Sequence, residues 1–524
     1  MKETTTGRSL TQRSLLIALA TGAFAALGLD GASAAQAPEP VQIDSGLISG
    51  EVLGASIGLQ AFRGIPFAAP PVGDLRWRPP QDVAPWDGVR ECVEFGPVAP
   101  QSPGLTGLVG DPLPPTDEDC LYLNIWTSKT GIAAKQPVMV WIHGGGFNVG
   151  WSNQTAYEGS ELAKRGVVIV TINYRLGALG FLAHPALSAE SKRNVSGNYG
   201  MLDCIAALKW VQRNIAAFGG DAGNVTIFGE SAGGTAVAAL CASPLAKGIV
   251  HRGIAQSPGG TNTYLRNSPD ESRSAEESGE AWAARVVGDE TDDVLAALRA
   301  IPANDLLNTG APATIVADGW FMNDITENEF ANGNQNDIPI IAGTNTDEGT
   351  IFVGSYPWRT VEAYQNGMKE QFGDGVAAAL KLYPVSKDED ILGALNVFIA
   401  DTWFLRPATG MLRGMDKVSS NAYQYVFTHR SQRTPERGAY HSSEMYYPFN
   451  TLHPADEKSE NPELAEAIIQ YWVQFAKTGN PNVDGLPAWP EYETDSAQYL
   501  ELGEEIKTGT AYRHEAMEIL NRIR

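Results

Sequence analysis

The 524-residue chain has only four cysteines, with no CxxC pair and no HExxH run. Clustered thiolates or paired histidines are what a zinc site needs, so nothing in the sequence points to a metal. A phosphate-binding P-loop and a dinucleotide glycine fingerprint are also missing, and no cofactor is expected. Basic residues are scarce. Against 61 Asp and Glu stand 38 Lys and Arg, for a formal charge of -23. A surface of that sign repels nucleic-acid phosphates, which argues against a nucleic-acid partner and otherwise speaks only for solubility. There is no internal repeat and no long low-complexity tract.

The apolar run Leu15 to Leu29 is fifteen residues long, short of the roughly 20 that a membrane-spanning helix needs. It follows Lys2, Arg8 and Arg13 and precedes the small residues Gly31 to Ala37. That pattern predicts a signal peptide over residues 1–37, cut after Ala34 or Ala37, and an exported protein with no stable membrane span. Gln12-Arg13-Ser14-Leu15-Leu16 is one arginine short of a twin-arginine signal, so Sec export is favoured and the other route stays open.

What the chain does have is Gly229-Glu230-Ser231-Ala232-Gly233, placed between the apolar Val225 to Phe228 and a small-residue run, Ala232 to Ala242. A strand, a tight turn and a helix in that order predict a nucleophile elbow. A serine hydroxyl reacts only when a base takes its proton and a sharp turn exposes it. Attack on a carbonyl also needs donors in place for the developing oxyanion. His143-Gly144-Gly145-Gly146-Phe147 follows the buried strand expected over Pro137 to Ile142, and its unshielded glycine amides can point at one oxygen together with the amide of Ala232. His143 precedes the serine, which is the wrong order for the base, and is read as a structural residue of that loop.

Order in this architecture is serine, acid, histidine. The base therefore lies among His251, His429, His441, His453 and His514. His251 leaves too little chain for an acid loop. His441 follows the strand-like Tyr423 to Phe427 in a polar loop, where a base belongs. For the acid, the short strand Ile338 to Gly343 delivers both Asp347 and Glu348 to the same sheet edge, and either could orient the imidazole.

Several blocks resemble the type-B carboxylesterases, the cholinesterase-like branch of the α/β-hydrolases. They are Phe62 to Ala68, Glu118-Asp119-Cys120-Leu121-Tyr122-Leu123-Asn124, Asn173-Tyr174-Arg175, Phe218 to Asp221, the serine motif, Asp347-Glu348-Gly349 and Gly479-Asn480-Pro481. The resemblance covers nearly the whole chain after residue 37. It implies a triad of Ser231, Glu348 and His441, with oxyanion donors at Gly145, Gly146 and Ala232. It also implies that Ser257 supports the acid, although Pro258 stands where the family has glycine. Further implications are a disulfide between Cys92 and Cys120 and ion pairs joining Arg76 to Glu118 and Arg175 to Asp401. Cys204 and Cys241 read as small core residues. The family's choline-binding tryptophan has no counterpart, since Val93 to Asp119 holds Phe95 but no Trp or Tyr, so a choline ester is not expected.

A site spread from Ser231 to His441 must converge in one domain, 38–524, despite the length. Alternating strands and helices from Pro137 to Ser257 predict parallel βαβ units, with antiparallel strands near Gln42 to Leu53. Insertions near 261–336 and 361–409 are expected to cap the site. The function expected is a serine carboxylesterase acting on a small-molecule ester without cofactor. An amide or carbamate hydrolase with the same triad is the alternative, and a non-catalytic binding module on the same fold is disfavoured by the intact triad.

Overall fold

Strands of this chain are apolar on both faces, which is what a sheet covered on both sides requires. In Gln136–Ile142, Val138, Val140 and Ile142 point into one hydrophobic core while Met139 and Trp141 point into another. Val168–Ile172 and Gly220–Glu230 divide in the same way, with Val170 and Ile227 on one side, Ile169 and Phe228 on the other. The two cores lie against opposite faces of one large sheet because side chains alternate along a strand.

The computed structural model describes residues 39–104, 106, 110–260, 263–268, 274–289, 291–452 and 460–523. The expected signal peptide over 1–37 and the candidate base His453 lie outside the described residues. Within them, eleven strands form the main sheet. In chain order they are β1 (Glu51–Gly54), β2 (Leu59–Pro66), β3 (Tyr122–Thr127), β4 (Gln136–Ile142), β5 (Val168–Ile172), β6 (Gly220–Glu230), β7 (Arg252–Gln256), β8 (Ile340–Asn345), β9 (Ala422–Phe427), β10 (Gln498–Leu502) and β11 (Lys507–Thr510). Their spatial order is β11-β10-β9-β8-β7-β6-β4-β5-β3-β2-β1. The pairs from β5 to β10 are parallel, and the strands at both ends are antiparallel. This is the mixed, mostly parallel sheet of an α/β-hydrolase, with antiparallel N-terminal strands.

Helices Tyr199–Asn214 and Ala232–Ala242 cover one face through Cys204, Leu208, Trp210 and Val237, and Pro462–Thr478 covers the other through Ile468, Trp472 and Phe475. Parallel strands deliver their carboxyl ends to one edge. Ser231, Ser257, Glu348 and the loop that carries His441 all follow such ends, after β6, β7, β8 and β9. The range 261–336 holds helices Ala275–Val287, Val294–Ala300 and Thr326–Asn332. The range 361–409 holds Val361–Phe372, Val376–Leu382 and Ile391–Ile399, then a π-helical turn, Ala400–Leu405, that runs into Arg406–Gly414.

Two expectations are corrected. Cys92 and Cys120 are free, buried thiols in the same core, as are Cys204 and Cys241. Burial lifts the Cys92 thiol to about 11 and raises that of Cys120 as well, which suppresses the thiolate needed for disulfide exchange. Arg175 pairs with Asp203 instead of Asp401. Asp203 sits on the helix beside it and takes Nε at 2.8 Å, Nη2 at 2.7 Å and the Arg175 amide at 3.0 Å. Asp401 is already engaged by the Arg513 guanidinium and the Tyr383 hydroxyl. The Arg76–Glu118 pair is present at 2.5 Å.

Candidate active site

Ser231 sits between β6 and the helix Ala232–Ala242 with φ 58° and ψ −123°, a conformation that costs an L-residue of order 1–3 kcal/mol. The turn can be that sharp only because its flanks are glycine. A Cβ on Gly229 would lie 2.5 Å from the Ile142 carbonyl oxygen, and one on Gly233 only 2.0 Å from the same oxygen. The Ser231 amide donates to the Gln256 carbonyl, which ties the elbow to the next strand.

The glycine loop lies across from it. His143 is fully buried, stacks on Tyr174 with centroids 4.4 Å apart, and its Nδ1–H donates to the Gly144 carbonyl. Burial depresses its pKa to about 4, so the ring is a neutral prop for the loop. Gly145 adopts φ +110°, where a Cβ would meet the Val149 carbonyl oxygen at 2.0 Å. Gly145, Gly146, Ala232, Ser231 and His441 line one cavity of about 500 Å³, the size of a small-molecule site.

Behind His441 stands Glu348. Nδ1 of His441 donates to Glu348 Oε2 at 2.5 Å. Glu348 Oε1 accepts the Ser257 hydroxyl at 2.5 Å and the Asn345 amide at 2.7 Å. Both oxygens are committed, and the carboxyl is fully buried. Asp347 points elsewhere, accepting the Ala439 amide at 3.0 Å and lying 3.4 Å from Arg430. Ser257 has φ 45°, and Pro258 does not prevent its contact with Glu348. The remaining described histidines lie apart from this cavity. His251 accepts from the Val225 amide, and His429 pairs with Glu504.

Sequence reasoning passed over two further carboxyls here, Glu230 against the imidazole and Glu444, which acts on it through its charge. Glu230 Oε1 is 3.2 Å from His441 Nε2 and accepts the Ser442 hydroxyl at 2.6 Å. Glu444 accepts from Asn345 at 2.6 Å and from Gln256 at 3.3 Å. The signal was there: one glutamate immediately precedes the serine, and the other comes three residues after the histidine. Burial alone would lower the His441 pKa, but the Glu230 and Glu348 carboxylates outweigh it and hold it up at about 9. Burial raises the Glu230 carboxyl despite the opposing pull of His441. The ionisation of each group thus depends on the charge of the other.

Much of the rest of the wall is apolar, with Gln154 and Thr235 as its further polar members. Phe404 packs on His441 with centroids 4.4 Å apart and Phe352 lies at 5.1 Å. Phe404 and Trp403 come from the π-helical turn, an insertion frequent at functional sites because it redirects consecutive side chains. Tyr157 and Met445 also line the cavity, and no Lys or Arg does so among the described residues.

Comparison with known proteins agrees with this fold. The model of the Carboxylesterase family matches residues 37–520. Fumonisin B1 esterase of Sphingopyxis macrogoltabida is 38% identical over 471 residues, 88% of this chain and 86% of the relative. Para-nitrobenzyl esterase of Bacillus subtilis is 34% identical over 86% of this chain and 92% of its own length. Cocaine esterase of Homo sapiens is 32% identical over 96% and 94%. With its sheet, its elbow and this extent of similarity, the chain belongs to the Carboxylesterase family and is a carboxylic ester hydrolase.

Proposed function

We propose that the chain hydrolyses uncharged esters bearing an apolar or aromatic group, through an acyl-enzyme on Ser231. His441 takes the serine proton and returns it to the leaving alcohol, Glu348 holds the ring with its Nδ1 proton in place, and Gly145, Gly146 and Ala232 donate to the oxyanion. Water then attacks the acyl-enzyme with His441 again as base. The observation that carries the reading is the chain of contacts from Ser257 through Glu348 to His441, which ends in the cavity holding Ser231 and the glycine loop. The substrate class rests on the aromatic wall and on the absence of any described cation there, since an anionic ester would meet only Glu230. Para-nitrobenzyl esterase, by its name, acts on an ester of this kind.

The test is labelling with a fluorophosphonate and mapping the adduct. Modification of Ser231, lost together with turnover in Ser231→Ala, is expected. An adduct on another residue, or an active Ser231→Ala protein, refutes the assignment. Export follows from the sequence of residues 1–37. Fractionation of cells expressing the full chain should recover a processed protein outside the cytoplasm, and an unprocessed cytoplasmic protein would count against it.

A further inference from the structure

A second cavity, of about 570 Å³, shares no lining residue with the one at Ser231. It opens between the loop after the 3-10 turn Gly73–Leu75, the segment that follows helix Pro185–Glu190, and residues 318–320. Its volume falls in the range of small-molecule sites. The floor is apolar and deeply buried, made by Trp77, Leu187 and Leu202. Trp77 already spends its indole N–H on the Ala178 carbonyl at 2.8 Å, so it offers the cavity only a ring.

The charges at the mouth decide what the cavity would accept. Three acids line it. Glu190 is neutralised by Arg78 at 2.5 Å and Arg299 at 2.7 Å. Asp318 accepts from Asn198 at 2.9 Å and from the amides of Trp320 and Phe321 at 2.8 and 2.7 Å. Asp74 is exposed on the rim. Against these, Lys192 and Arg193 are exposed and pair with no carboxylate among the described residues. Arg193 is held over the Trp320 ring, 5.3 Å from its centroid. A guanidinium fixed on an aromatic face loses little freedom when it binds a carboxylate, and its fork suits both oxygens at once. The buried Tyr199 also lines the cavity, and its hydroxyl has no hydrogen-bond partner among the described residues. In a chain of net charge -23 the charged lining of this cavity is balanced, three acids against Arg78, Lys192 and Arg193, and of the bases Lys192 and Arg193 are left without a carboxylate partner among the described residues.

We propose that this cavity is a second ligand site, which binds an organic monoanion with a carboxylate at Arg193 and Lys192 and an apolar or aromatic body on the Trp77 and Leu202 floor. It is distinct from the reactive site in place and in charge preference. Acids of this shape are what the proposed reaction releases, so the protein would hold its own class of product away from Ser231. The site stands on its own geometry and does not depend on the assignment of Ser231.

The probe is 2-naphthoate, titrated into the purified protein by calorimetry, with 2-naphthamide as its uncharged counterpart. Saturable binding at one site per chain is expected, with Arg193→Gln weakening it at least tenfold, Arg193→Lys weakening it less, and the amide failing to bind. Turnover of a neutral nitrophenyl ester should be unchanged in Arg193→Gln, since that exposed side chain is no part of the reactive cavity. Equal binding by Arg193→Gln, equal binding of the amide, or no binding at all overturns the proposal. Binding that is lost in Phe404→Ala but kept in Arg193→Gln places the ligand in the Ser231 cavity and overturns it equally.

Discussion

Glu230→Gln should move the pH dependence of turnover, and the structure sets both the sign and the size. His441 must be neutral to accept a proton, so kcat/KM rises with pH as the imidazole loses its own. With Glu230 and Glu348 both beside it, His441 is held up at about 9, and the wild-type limb should lie well above the ordinary histidine value of about 6.5. Glu230 Oε1 is 3.2 Å from Nε2. At an effective dielectric of about 20, full charges at that separation attract by about 5 kcal/mol. Burial keeps Glu230 protonated over part of the range, so less than half of this, about 2 kcal/mol, should reach the limb. At 1.36 kcal/mol per unit, that is about 1.5 pH units. Glutamine keeps an oxygen for the Ser442 hydroxyl but no charge. The ascending limb of kcat/KM for a neutral nitrophenyl ester should therefore shift down by about 1.5 units in Glu230→Gln, with activity extending to lower pH. A limb that coincides with the wild type, or moves to higher pH, would refute the charge argument and leave burial as the controlling factor.

Glu348→Gln should lower kcat by three to four orders of magnitude, on the order of the loss when a triad acid becomes an amide, while Asp347→Asn should cost less than about tenfold; the reverse ranking in steady-state kinetics would exchange their roles. Ser257→Ala removes one of two donors to Glu348 Oε1 and leaves the Asn345 amide, so a loss of about 1–2 kcal/mol, roughly 5- to 30-fold in kcat, is expected between those extremes. Asp203→Asn strands the buried Arg175 guanidinium and should destabilise the fold by about 3–5 kcal/mol in denaturant titration, whereas Glu190→Gln, at a half-exposed cluster, should cost under about 1 kcal/mol. Thiol titration of the unreduced, unfolded protein should count four free cysteines, and a count of two would restore the Cys92–Cys120 bond.

Local patterns in the sequence determined a good deal of this protein. The elbow is a contiguous strand, turn and helix, and its glycines are demanded by backbone contacts within a few residues or with the adjacent strand. For that reason Ser231, the helix Ala232–Ala242 and the glycine loop were legible. The same holds for β4, β8 and β9, whose apolar runs bound them to within two residues. The choice between Asp347 and Glu348 was not local. Successive residues in a turn point in different directions, and only the fold turns Glu348 toward His441 and Asp347 toward Ala439. Arg175 found Asp203 and not Asp401 because a guanidinium takes the carboxylate that packing brings within reach, and here that is the one on the neighbouring helix. Sequence could say that a nearby carboxylate would raise the His441 pKa and that burial would lower it. It could not say which wins, because the answer depends on how many carboxyls converge within a few ångströms in a dry interior. The tertiary structure brings Glu230, Glu348 and Glu444 from three separate segments around one imidazole, and there charge outweighs desolvation.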